Sequence, residues 1–166
     1  MSELCSFTVR VYEDVGKTKQ ALETIEKLDK KILDNIDKQE TIARLNLKLG
    51  NNEKAVEAYE AMLRYNSANR QTYMKIIQAS GINLPTNIAE KLSSADQAKV
   101  KELMDKYAQV LPRVNTHTRI SLRYLQGDDF ESRLRQYIKP QIIKGVPSIM
   151  HELRELYVCS DKSATI

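Results

Sequence analysis

Two glycines 34 residues apart, Gly16 and Gly50, constrain this chain more than any other feature. Each is followed five residues later by an alanine, Ala21 and Ala55. A glycine tolerates the positive φ of a sharp turn, and an alanine lets two helix backbones approach closely. Ile42, Ala43, Leu45 and Leu49 precede Gly50, and Ala55, Val56, Tyr59, Met62 and Leu63 follow it. Both sets recur at three and four residues, so each makes one helical stripe. Ala21, Ile25, Leu28 and Ile32 repeat the logic one period earlier. A helix hairpin of this size cannot bury its apolar face alone and must stack on neighbours.

The 34-residue period is that of the tetratricopeptide repeat. Gln39 to Asn69 reads as a nearly complete hairpin of that kind, with Leu49-Gly50-Asn51-Asn52 as its turn and a loop opening at Asn66. The expected fold is all-α: a single TPR-like helix-hairpin solenoid, a right-handed superhelix segment of about 8–9 helices. Its units fall at about 2–35, 36–69, 70–111 and 112–140, with a further helix at about 146–158. Phe7 to Tyr12 is rich in β-branched residues, but the repeat register makes it a helix. The third unit is degenerate. Tyr73, Met74, Ile76 and Ile77 begin a helix, and Ser80 to Asn87 breaks it with Gly81 and Pro85. A short helical piece is expected around Ile88 to Leu92, then a helix from an N-cap at Ser94, striped by Val100, Leu103, Met104, Tyr107 and Leu111. In the fourth unit Ile120, Tyr124 and Leu125 precede Gly127, Phe130, Leu134 and Tyr137 follow it, and Pro140 is expected to stop the helix. Pro147 suits the first turn of a last helix lined by Val146, Ile149, Met150, Leu153, Leu156 and Tyr157. The absence of a polar terminal cap predicts a piece of a longer array.

Only 5 Gly, 4 Pro and no Trp interrupt a chain that is 42% apolar and 29% charged, which favours helix almost throughout. No apolar run approaches the ~18 residues of a membrane span, and the first residues lack the order of a signal peptide. Cys5 and Cys159 form no CxxC pair and read as reduced thiols of an intracellular protein. The net charge of +4 is unevenly placed: Val110 to Pro147 holds seven basic residues against three acids, so the rest is neutral. Such a stripe attracts RNA or an acidic protein surface, or is a solvated face.

More specific signals lie in the last third. Leu111-Pro112-Arg113, Leu122-x-x-Leu125-x-Gly127-x-x-Phe130, Lys144-Gly145-Val146-Pro147 and Leu153-Arg154-x-Leu156-Tyr157 occur in this order. Together with Ser2-Glu3-Leu4 through Gly16 and Ala21-Leu22-Glu23, they resemble the auxiliary subunit of the N-terminal acetyltransferase A complex, over essentially the whole chain. The sequence departs from that family's pattern at Val114, where a second arginine is expected, and in the Ser80 to Ser94 insertion. The resemblance implies a non-catalytic scaffold. In that family a TPR superhelix wraps a small catalytic acetyltransferase subunit, shapes its active site and anchors the complex at the ribosome, in the cytoplasm, for co-translational N-terminal acetylation. It implies no cofactor on this chain, with acetyl-CoA held by the catalytic partner only, and no membrane or small-molecule substrate of its own.

Candidate chemistry within the chain is sparse. His117 and His151 have no neighbouring ligand set and read as surface or interface histidines. Asp128-Asp129 suits a helix start rather than acid/base work. The tyrosines fall mostly at core spacings, while Tyr65, Tyr73 and Tyr124 are alternatives for a groove. Arg44, Arg119 and Arg123 are the candidate partner-binding residues of a concave surface, and Lys139 and Lys144 those of an outer basic edge. Three functions fit: an acetyltransferase scaffold, a generic TPR peptide receptor, or an RNA- or ribosome-contacting helical repeat. Glu40 and Arg44 stand where a carboxylate-clamping receptor uses Asn and Lys, which disfavours the second. Binding of a phosphate backbone by the Val110 to Pro147 cations would show steep salt dependence.

Overall fold

The repeat register places each glycine at a helix end, and the backbone there shows why glycine is needed. In the computed structural model, which describes residues 3–27, 35–85 and 90–154 together with Leu156 and Lys162, Gly16 and Gly50 have φ of +75° and +77°. The Gly50 N–H donates to Leu47 O and the Asn51 N–H to Asn46 O. Gly16 and Lys17 do the same to Glu13 O and Tyr12 O. These paired bonds satisfy carbonyls that a helix end leaves open, and they need a left-handed residue at the pivot.

The described residues form α1 (Glu3–Asp14), α2 (Thr18–Lys27), α3 (Asn35–Lys48), α4 (Asn52–Tyr65), α5 (Arg70–Ala79), α6 (Ser94–Val110), α7 (Thr116–Tyr124), α8 (Gly127–Ile143) and α9 (Ile149–Leu153). No strand occurs among them, so Phe7 to Tyr12 is helical within α1. The chain divides into two compact units, one ending at Gly81 and the other starting at Ile82.

In the first unit α1 pairs with α2, α3 with α4, and α4 packs on α5. Ala21, Ala43 and Ala55 are fully buried, as close helix approach requires. Cys5, Val9, Ala21, Ile25 and Leu45 share one core, which ties the first hairpin to α3. Leu28 and Ile32 lie outside the described residues. The α3 stripe is more polar than its apolar spacing predicts: Thr41 and Asn46 are buried, while Leu49 is only half-buried. Asn46 can be buried because its side-chain amide donates to Ile42 O and its oxygen accepts from Asn51. Tyr73 is fully buried with its hydroxyl donated to Ser67 O, and Tyr124 is buried too, so both are core residues rather than groove residues. Tyr65 is exposed.

The second unit corrects several boundaries. The α6 N-cap is Ser93, not Ser94. Ser93 Oγ accepts from the Asp96 N–H and donates to the Asp96 carboxylate, so the acid three residues on selects the cap. Glu90 to Leu92 are not helical, and the rest of the piece expected around Ile88 lies outside the described residues. Pro140 does not stop α8, which runs on to Ile143. A proline so near the end removes one N–H bond and leaves the last turn to close through Lys144 N–H to Pro140 O. The stop is Gly145, at φ +64°, with its N–H on Ile142 O and the Val146 N–H on Gln141 O. Pro147 precedes the α9 N-cap Ser148 instead of lying in the helix. Leu122, Leu125, Phe130, Leu134, Tyr137, Ile149, Leu153 and Leu156 make the core here. Met150, expected inside, is 64% exposed, and Tyr157 lies outside the described residues.

Candidate partner-binding surfaces

Charged side chains in both units link successive helices, and this decides which cations remain available to a partner. On α3, Arg44 and Lys48 lie one turn apart and converge on one carboxylate, Glu13 at the end of α1, at 2.9 and 3.0 Å. The Glu13 side chain is only 6% exposed, whereas both cations are about half exposed. Such a carboxylate is tolerable only with its charge and lone pairs matched. One repeat later Lys75 of α5 pairs with Glu40 of α3, and its ammonium lies 5.9 Å from the Tyr59 ring centroid. Burial first, and Glu40 among the charged neighbours, push the Tyr59 phenol up.

In the second unit Arg133 of α8 pairs with Asp105 of α6, and Lys101 of α6 with Asp129 of α8. His117 of α7 is buried close to the first of these pairs. It is therefore not a surface histidine. Burial, then the Arg133 charge, lowers its pKa, against an opposing effect of Asp105. Its Nδ1 has no hydrogen-bond partner among the described residues. His151 is exposed.

Arg119 of α7 is half exposed; its Nε donates to the Tyr137 hydroxyl at 3.0 Å, and its guanidinium pairs with Glu152 of α9. Tyr137 in turn donates to Glu152. Burial raises the Glu152 pKa, but hydrogen bonds from Tyr137 and Arg119 outweigh it and hold the carboxyl below its usual range. Arg123 is partly buried, 5.9 Å from the Tyr124 ring centroid. Lys162 is buried and donates to Leu122 O and Arg123 O at 2.8 and 2.6 Å, closing the C-terminal end of α7. Nothing in its sequence context marks it for that role.

Of the five candidate binding residues, then, Arg44 and Arg119 each hold an internal acid while keeping half their surface, and Arg123 is partly buried. Lys139 and Lys144 are exposed on the α8 end. Within the basic Val110 to Pro147 segment, Arg119, Arg133 and Arg135 are all paired with acids, which leaves fewer cations for a phosphate backbone. Lys144 lines an open groove of about 400 Å³ with Arg113 and Arg133. A different surface lies on α1, where Leu4, Phe7 and Val11 stand exposed at spacings of three and four. Among the described residues no helix is long and apolar enough to cross a membrane.

A family model described as "N-terminal acetyltransferase A, auxiliary subunit" matches residues 1–166. The Arabidopsis thaliana N-terminal acetyltransferase A complex auxiliary subunit NAA15 is 29% identical over 156 residues, 94% of this chain and 17% of that protein. The mouse N-alpha-acetyltransferase 16, NatA auxiliary subunit, is 25% identical over 165 residues, 99% of this chain and 18% of that protein. This chain thus spans less than a fifth of the curated relatives it matches. Among solved structures, one described as Naa15/Naa10 bound to HypK-THB matches with a TM-score of 0.81 and 28% identity, over 97% of this chain and 23% of that one.

Proposed function

The chain belongs to the family of N-terminal acetyltransferase A auxiliary subunits, and from that premise we propose that it is a non-catalytic scaffold segment that binds a catalytic acetyltransferase subunit. The observation that carries this reading is the match to the Naa15/Naa10 assembly, which extends over nearly all of this chain at 28% identity. The internal ion pairs support it as well. Glu13 with Arg44 and Lys48, and Glu40 with Lys75, bridge successive helices, and a surface ordered before docking loses less entropy on binding a partner. Acetyl-CoA belongs, on this reading, to the partner alone. Ribosome association and a cytoplasmic site of action complete it, for co-translational acetylation of nascent chains. The exposed stripe of Leu4, Phe7 and Val11 suits a neighbouring helix of the longer array that the relatives' length implies.

The test is co-elution. The chain mixed with the catalytic subunit and passed over a sizing column should emerge as a one-to-one complex. Separate elution, with the chain folded by circular dichroism, would contradict the reading.

A further inference from the structure

Two stretches far apart in sequence, Pro112-Arg113 and Pro140 to Lys144, meet in the open groove between the α6–α7 loop and the second half of α8. Among the described residues three cations line it, Arg113, Arg133 and Lys144, and no acidic side chain does. Arg133 is already matched by Asp105 and is 13% exposed. Glu152, which accepts from the lining Tyr137, is matched by Arg119. The charge left over is that of Arg113 and Lys144, which make no ion pair among the described residues. The groove therefore carries a surplus of two positive charges, surrounded by the side-chain amides of Asn115, Gln136 and Gln141.

We propose that this groove binds a phosphomonoester. Such a group carries about −1.5 to −2 charges at pH 7 and three strong acceptor oxygens on one centre, which matches the two unspent cations. Guanidinium groups address its oxygens in pairs, and the ammonium acts as a point charge beside them. The amides can donate to the remaining oxygens. A single carboxylate would leave one of the two cations unmatched. The volume of about 400 Å³ leaves room for the group that bears the phosphate. That group can be a small phosphorylated molecule or a phosphoserine of a protein. The inference is independent of the scaffold reading.

The experiment titrates the full chain, at constant ionic strength, with methyl phosphate and separately with the peptide Gly-phosphoserine-Gly against Gly-Ser-Gly. The readout is the set of arginine Nε–H resonances. Saturable shifts of Arg113 and Arg133 are expected with one or both phosphate probes and not with Gly-Ser-Gly, and the tighter probe identifies the source. Arg113→Gln and Lys144→Gln should each weaken binding by about ten-fold. Lys54→Gln, which removes the same charge from α4 in the other unit, should leave it within about two-fold. No saturable shift would overturn the proposal. So would shifts spread over all exposed arginines, or affinity lost equally in Lys54→Gln, because only diffuse attraction would then be present.

Discussion

Arg44 on α3 pairs with Glu13 at the end of α1 at 2.9 Å, and the carboxylate it meets is 6% exposed although it stands beside a turn. A charge that deep links a helix of one hairpin to a helix of the next. Arg44 reads from the sequence as a partner-contact residue, yet much of its charge is spent inside the unit.

Glu13→Gln should therefore destabilise the first unit by about 1–2 kcal/mol, discounted because Arg44 and Lys48 can rehydrate. Urea unfolding of the chain measures it. A double-mutant cycle with Arg44→Gln should give a positive coupling energy; additive effects would show that the pair contributes nothing beyond its parts.

Gly50→Ala should cost about 1 kcal/mol, since a Cβ is disfavoured at φ +77°. Beyond the glycine and its chain neighbours no heavy atom lies within 4 Å of where that Cβ would sit, so the loss is local backbone strain and not a clash with packed neighbours. Gly50→Asn should lose less, because Asn tolerates the left-handed region. Equal losses in the same urea titration would refute this assignment.

His117 should make stability fall in acid. Its folded pKa lies below the ordinary 6.5, so near that pH the unfolded chain binds more protons than the folded one. Stability is then fully present above about 6.5 and is lost as pH falls below it. His117→Gln should flatten the dependence of unfolding free energy on pH just below 6.5. An unchanged slope would place the titration elsewhere.

Tyr137→Phe removes the hydroxyl that accepts from Arg119 and donates to Glu152. A loss of about 1–2 kcal/mol is expected. Glu152 would also lose one of the donors that lower its pKa, so its carboxyl should titrate at a higher pH in the variant. Carboxyl carbon shifts followed by NMR across the acid range check this directly.

The hairpins were legible because their signals are local and redundant. Gly16 and Gly50 sit at the period, Ala21 and Ala55 follow at the same offset, and the apolar stripes agree. Sequence and structure part where a long-range partner or the local end of a helix decides. Pro140 reads as a stop only if it lies mid-helix; three residues before the last residue of α8, the turn closes without its N–H. Glu13, His117 and Lys162 are polar residues buried through partners or neighbours on other helices, and spacing along one helix carries no trace of them. The groove was half visible. Lys144 stood out by charge, but Arg113 and Arg133 join it only once α8 packs beside the loop ahead of α7.

The most direct test of the scaffold account is calorimetric titration of the catalytic acetyltransferase subunit into this chain at two salt concentrations. Saturable one-to-one binding is predicted, with affinity that weakens with salt to the extent that half-exposed Arg44 and Arg119 and exposed Lys139 and Lys144 take part. Absence of binding at both salts by a folded chain would contradict the account and place the grip in other parts of the longer relatives.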